Sequence, residues 1–143
     1  MVKAIDVADY ILTQKGTMSA MKLQKLIYYA QAWHLVWEDK ELFSEEIQAW
    51  ANGPVVPSLY SLHQGIFSLE PGFFKGDISS IPDESKDVID RVLEFYGDKD
   101  AQWLSDLTHM EEPWKKARIG LVDGERGNRI ISNESMSEYY SSI

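Results

Sequence analysis

Residues 19–37, SAMKLQKLIYYAQAWHLVW, contain neither glycine nor proline and carry the strongest helical periodicity in the chain. Leu23, Leu26, Ile27, Ala30, His34 and Trp37 recur at the spacing of one helical stripe, while Tyr28, Leu35 and Val36, or Tyr29 and Trp33, occupy other faces. Ser19 is placed to cap the start. A helix apolar on nearly every side is a buried one. The spacing therefore predicts a central helix over about 19–37, around which the rest must pack.

Upstream, Ile5, Ala8, Ile11 and Leu12 predict a short helix over 5–14, closed by Gly16. Downstream, EDKE at 38–41 reads as a polar turn, and the alternation of Ile47, Ala49 and Ala51 predicts a short strand at 46–51. The stretch GPVVPSLYSLHQG, residues 53–65, then turns a corner. Gly53 supplies backbone freedom, Pro54 keeps Gly53 out of the right-handed helical region, and Pro57 suits the first position of a helix over 57–64 closed by Gly65.

Residues 66–84, with Pro71, Gly72, Gly76 and Pro82, read as a long surface connection. Helices follow in DESKDVIDRVLEFY before Gly97, in DAQWLSDLTHM, and briefly from Pro113 through Ala117. A loop with glycines at 120, 124 and 127, a second short strand at Arg129–Ser132 and a capped terminal helix in NESMSEYY complete the chain. The expectation is a mainly α, compact single-domain helical bundle spanning 1–143, with a minor two-stranded β element.

Composition narrows the function. The chain of 143 residues has a net charge of −9 and a pI near 4.7. Residues 38–112 hold five basic against seventeen acidic side chains, a net of −12. Affinity for nucleic acid comes from clustered lysine and arginine, so a phosphate-contacting DNA binder is disfavoured, although Lys115, Lys116, Arg118, Arg126 and Arg129 leave a small basic region that could contact phosphate. An acidic face can instead steer a basic protein partner. The chain lacks cysteine, which removes disulfides and thiolate chemistry, and its opening MVKAIDVADYIL interrupts any apolar run with aspartates. A cytoplasmic protein without a membrane span is expected.

No nucleophile elbow, phosphate loop or HExxH spacing is present, and neither a cofactor nor a metal site is expected. The one arrangement with catalytic potential is His109 close to Glu111 and Glu112, a set that could serve a small metal-dependent hydrolase. Five tryptophans, at 33, 37, 50, 103 and 114, are numerous for this length; most serve a core, and one or two suit a protein interface. Lys22, Lys25 and Tyr29 share a helix face by spacing, which reads as a solvated edge or a contact row.

MKLQKLIYYAQAWHL followed by LFSEEIQAWANGPVVPSLY, with LSDLTHMEEPWKKA later, resembles the Panacea-domain antitoxins, a family that includes SocA-like and phage-associated GepA-type proteins. The likeness runs over essentially the whole chain. It implies a non-enzymatic, protein-binding antitoxin of a bacterial or prophage toxin–antitoxin pair, whose partner is a cognate toxin encoded nearby. Direct complex formation is the mode the family implies. A protease adaptor that delivers the toxin for degradation is the alternative, with a cellular protease as second partner, and homo-oligomers are compatible with either. The family pattern falls on Lys22, Leu23, Gln24, Lys25, Tyr28 and Tyr29 in the helix and on Trp50, Gly53, Pro54 and Val55 at the corner. Of these, Lys22, Lys25, Tyr28, Tyr29, Trp50, Gly53, Pro54 and Val55 are the candidate partner-binding residues. The chain departs from the pattern at Asn52, where the family more often places an aromatic residue.

Overall fold

The computed structural model describes all of residues 1–143. Helix α1 (Ala4–Lys15) and the two-residue strand β1 (Met18–Ser19) lead into α2 (Ala20–Glu38), whose first turn is capped by the Ser19 hydroxyl accepting from the Lys22 N–H at 3.1 Å. There follow β2 (Ile47–Trp50), β3 (Gly53–Val55), α3 (Pro57–His63) and β4 (Ser68–Leu69). A 3₁₀ turn (Ile78–Ser80), α4 (Asp83–Tyr96), α5 (Ala101–Met110), α6 (Glu112–Ala117), β5 (Ile130–Ile131) and α7 (Asn133–Tyr140) complete the order. No helix is long and apolar enough to cross a membrane.

Helix α2 is the hub, packed against α1, α4, α5 and α7. Leu23, Leu26 and Ile27 are fully buried, each contributing on the order of 2 kcal/mol by leaving water. The stripe ends short of the helix end, where Trp37 lies half in solvent, stacked on Trp33 with Arg91 over its ring. Two buried glutamines, seven residues apart on α2, act as backbone surrogates. Gln31 Oε1 accepts from the Leu42 N–H at 2.7 Å while its amide donates to the Phe43 carbonyl at 2.8 Å. Gln24 treats Val56 in the same way, accepting from its N–H at 2.9 Å. Extended segments that no strand partners are thereby satisfied from the side of a helix. His34 does similar work, its Nδ1 donating to the Lys40 carbonyl at 2.7 Å and its Nε2 accepting from Ser85 at 2.9 Å.

The minor β element is larger than the expected two strands. β5 pairs antiparallel with β2 in the register Ile47↔Ile131, and β3 pairs with the other edge of β2, so the sheet has three strands in the order β3-β2-β5. The corner at 53–55 is itself a strand because Pro54, which has no N–H to give, lies on a sheet edge where none is required. A second small pair joins β1 to β4.

Residues 66–84 are also more than a surface connection, since Leu69, Phe74 and Ile81 are buried. Two carboxylates on α1 hold this segment. Asp9 accepts from the backbone N–H groups of Phe74 at 3.2 Å and Gly76 at 2.7 Å, and Asp6 from the Asp77 N–H at 2.7 Å and the Ser80 hydroxyl at 3.0 Å. Burial alone would raise the Asp6 pKa, but the hydrogen bonds from Asp77, Lys3 and Ser80 outweigh it and hold the carboxyl below its ordinary value.

Candidate partner-binding cavity

The β2–β3 hairpin turns through Ala51 and Asn52 and closes on Gly53, whose φ of 125° is a conformation that side chains disfavour. A Cβ at Gly53 would lie 2.4 Å from Cε of Lys25 and 3.2 Å from the Thr108 hydroxyl, so glycine also lets the strand rest against the lysine. Three side chains fix the hairpin from behind. Ser105 donates to the Asn52 carbonyl at 2.7 Å, Trp114 Nε1 to that of Trp50 at 2.9 Å, and Arg118 to that of Ala49 at 3.0 Å. From the front, Gln24 holds Val56 and donates to His63 Nε2 at 3.0 Å. An amide nitrogen can only donate, so His63 Nε2 accepts and its ring proton sits on Nδ1. Burial lowers the His63 pKa, which favours this neutral form.

Between the start of α2, the hairpin, α3 and the loop after α6 opens a cavity of about 930 Å³. Lys25 forms its floor, and Trp50, Val55 and Tyr60 its wall. Its rim is apolar on one side, where Met21, Ile66 and Phe67 stand in solvent, Phe67 with 80% of its surface exposed. Arg126 and Asn128, both exposed, also line the cavity. Their loop is tethered by Arg118, which donates to the carbonyls of Val122 at 3.4 Å and Glu125 at 2.6 Å.

Lys25 is the chemically unusual group. It retains 1% of its surface and lies beneath the hairpin, and no carboxylate is among the residues lining the cavity. Burial pushes its pKa down to about 8. The amine is still mostly protonated at neutral pH, so the cavity floor carries a positive charge that has shed most of its water.

Residues 23–115, 93 of the 143, match the family model described as antitoxin SocA-like, Panacea domain. The chain belongs to the SocA-like Panacea-domain family. No curated protein and no solved structure matches it. The Panacea match takes in most of α2, the hairpin, α3, α4 and α5, and so all walls of the cavity except the start of α2 and the 126–128 loop.

The structure divides the candidate partner-binding residues into three groups. Lys25, Trp50 and Val55 line the cavity, with Gly53 and Pro54 in the buried strand below it. Lys22 is half-buried on another face, toward Asp98 and Asp100. Tyr28 and Tyr29 are enclosed in the core. The expected solvated row of Lys22, Lys25 and Tyr29 is therefore not one surface: the hairpin covers Lys25, while Tyr96 and Tyr140 cover Tyr29. The Tyr29 and Tyr140 hydroxyls both donate to Glu111 Oε1 at 2.7 Å, and Tyr28 donates in turn to the Tyr140 oxygen at 3.0 Å. Burial raises the pKa of Glu111, and these two hydrogen bonds oppose the rise.

That placement bears on the hydrolase alternative. Glu111 faces the tyrosines, Glu112 is exposed, and His109 stacks on Trp114 at 4.0 Å. No group of three His, Cys, Asp or Glu side chains is placed to hold a metal ion. Within the small basic region, Arg118 is buried in its carbonyl contacts and Arg129 donates to the Ile119 carbonyl.

Among the residues lining the cavity, Gln24 stood only in the family pattern and Arg126 only in the basic region, and His63, Ile66 and Phe67 were not among the partner-binding candidates. The signal for Gln24 was a polar residue inside an apolar helix; the others meet the cavity only through tertiary folding.

Gly53→Ala is expected to lower stability by about 2 kcal/mol, through the disfavoured φ and the displaced lysine tip. Urea denaturation measures it, and a variant as stable as the parent would contradict the close approach of hairpin and lysine.

Proposed function

We propose that this protein is the antitoxin of a toxin–antitoxin pair and neutralises a protein toxin by direct binding, covering the surface the toxin needs for its activity. Membership of the SocA-like antitoxin family carries the reading. The cavity and its exposed apolar rim add support, because apolar side chains left in solvent beside a concave site are what a protein partner covers. The net charge of −12 over residues 38–112 favours a basic toxin surface and fast encounter. In this reading the protein binds and does not catalyse.

The test is coexpression with the protein encoded beside it, each under its own inducible promoter. The neighbour alone is expected to arrest growth, and this protein to restore it while forming a complex that survives purification, with the toxin's half-life unchanged. A neighbour that is harmless and does not bind would overturn the reading. Rescue accompanied by rapid loss of the toxin would replace sequestration with delivery to a protease.

A further inference from the structure

The Lys25 cavity reverses the sign of the surface around it. In a chain of net charge −9, the charged side chains that line it are Lys25 and Arg126, with neutral His63 beside them. His109, behind the hairpin, is the other titratable group that senses the Lys25 charge. The lysine has no hydrogen-bond acceptor of its own, although a buried ammonium is ordinarily paired. Folding has thus stripped most of its water without supplying a counter-ion, and leaves its remaining exposed surface facing the cavity.

We propose that the cavity receives an aspartate or glutamate side chain of the toxin, which pairs with Lys25 while apolar neighbours in the same toxin segment cover Phe67, Ile66 and Met21. This rests on the antitoxin reading and specifies its contact. A carboxylate supplies the missing charge and acceptors of an ammonium already largely desolvated, so only the carboxylate's own dehydration opposes the pair. The rim favours a protein segment over a free anion. Exposed Phe67 and Ile66 extend the apolar surface beyond the cavity mouth, farther than a small anion could cover. The acidic surroundings repel a carboxylate presented elsewhere, so the pair also sets the register of the complex.

Two measurements test this. In the first, Lys25→Met and Lys25→Gln are titrated against the purified neighbouring toxin, with circular dichroism confirming the fold. Both are expected to weaken binding at least 100-fold, and one toxin Asp→Asn or Glu→Gln change is expected to weaken wild type equally while leaving Lys25→Met unaffected. A tight wild-type complex that Lys25→Met preserves would overturn the proposal and leave the antitoxin reading standing.

The second needs no toxin. With lysine labelled at ¹³Cε, the protein is titrated with acetyl-Phe-Asp-Phe-amide, acetyl-Phe-Asn-Phe-amide and acetate. The aspartyl peptide is expected to move the Lys25 resonance with at least fivefold higher affinity than the other two probes. Equal affinity for the aspartyl and asparaginyl peptides would overturn the carboxylate pairing, and acetate binding as tightly as the peptide would overturn the protein segment as occupant. Selective peptide binding with a harmless neighbour would keep the carboxylate site and remove the neighbour as its source.

Discussion

Lys25→Met is expected to make the protein more stable by about 2–3 kcal/mol at pH 7, in the direction opposite to most substitutions of buried residues. Methionine fills much the same volume and carries no charge to desolvate. The size follows from the shift from 10.5 to about 8, which at roughly 1.4 kcal/mol per unit penalises the folded state by about 3 kcal/mol. The sign can be checked by pH. Because the folded-state pKa lies below the unfolded one, the unfolded chain binds more protons between pH 8 and 10.5, and wild-type stability climbs through that window. The tyrosines act oppositely: burial raises Tyr28, Tyr29 and Tyr140 above the ordinary value of 10.0, so their contribution is lost as the unfolded chain ionises beyond that pH. Wild type should therefore gain stability from pH 7 to about 9.5, and Lys25→Met should gain much less, keeping only the smaller contribution of half-buried Lys22, whose pKa burial also lowers. Urea denaturation at the two pH values measures both, and a variant less stable than wild type at pH 7 would show the ammonium to be compensated. A group kept at a loss to stability is characteristic of a binding site.

The second large effect is expected from Glu111→Ala. Its Oε1 receives the hydroxyls of Tyr29 and Tyr140, which lie on α2 and α7. Truncation leaves both donors without an acceptor in the core, at about 1–3 kcal/mol each, and opens a void besides. A loss of about 4 kcal/mol is expected, lowering the midpoint of thermal unfolding by roughly 10 °C for a chain of this size. Protease cleavage on either side of α7 should rise, since Tyr140 is the residue that α7 buries most deeply. Glu111→Gln keeps an acceptor oxygen and is expected to cost less than half as much. An alanine variant melting within 2 °C of wild type would refute the role of this network in holding α7.

How much was legible in the sequence differs between elements. Helix α2 was legible because its period is local, its cap Ser19 precedes it, and apolar residues on all sides leave burial as the sole outcome. The strand at 47–50 was visible as alternation within the expected 46–51, and its partner at 130–131 lies within the expected strand at 129–132. Strand β3 was not, because glycine and proline signal a corner, and the edge position that makes proline acceptable belongs to the sheet. The grip of Asp6 and Asp9 on residues 74–80 was hidden for a related reason: their partners are backbone N–H groups, which leave no trace in residue identity. At the site, Trp50, Val55 and Lys25 stood among the candidates, but Lys25 was placed on a solvated edge or contact row with Tyr29.

The sequence by itself determined the helices, the central position of residues 20–38, the acidic surface and the family, because periodicity, capping, charge and motif order are properties of neighbouring residues. Tertiary structure alone decided which polar residues of α2 would be buried and what each would meet. Gln24, Lys25 and Gln31 are equally polar on paper, yet the two glutamines hydrogen-bond to backbone groups while the lysine packs against the hairpin at Gly53 beneath the cavity. That difference is set by where the hairpin and the 42–43 segment cross the helix, and so by packing between parts of the chain that no local pattern connects.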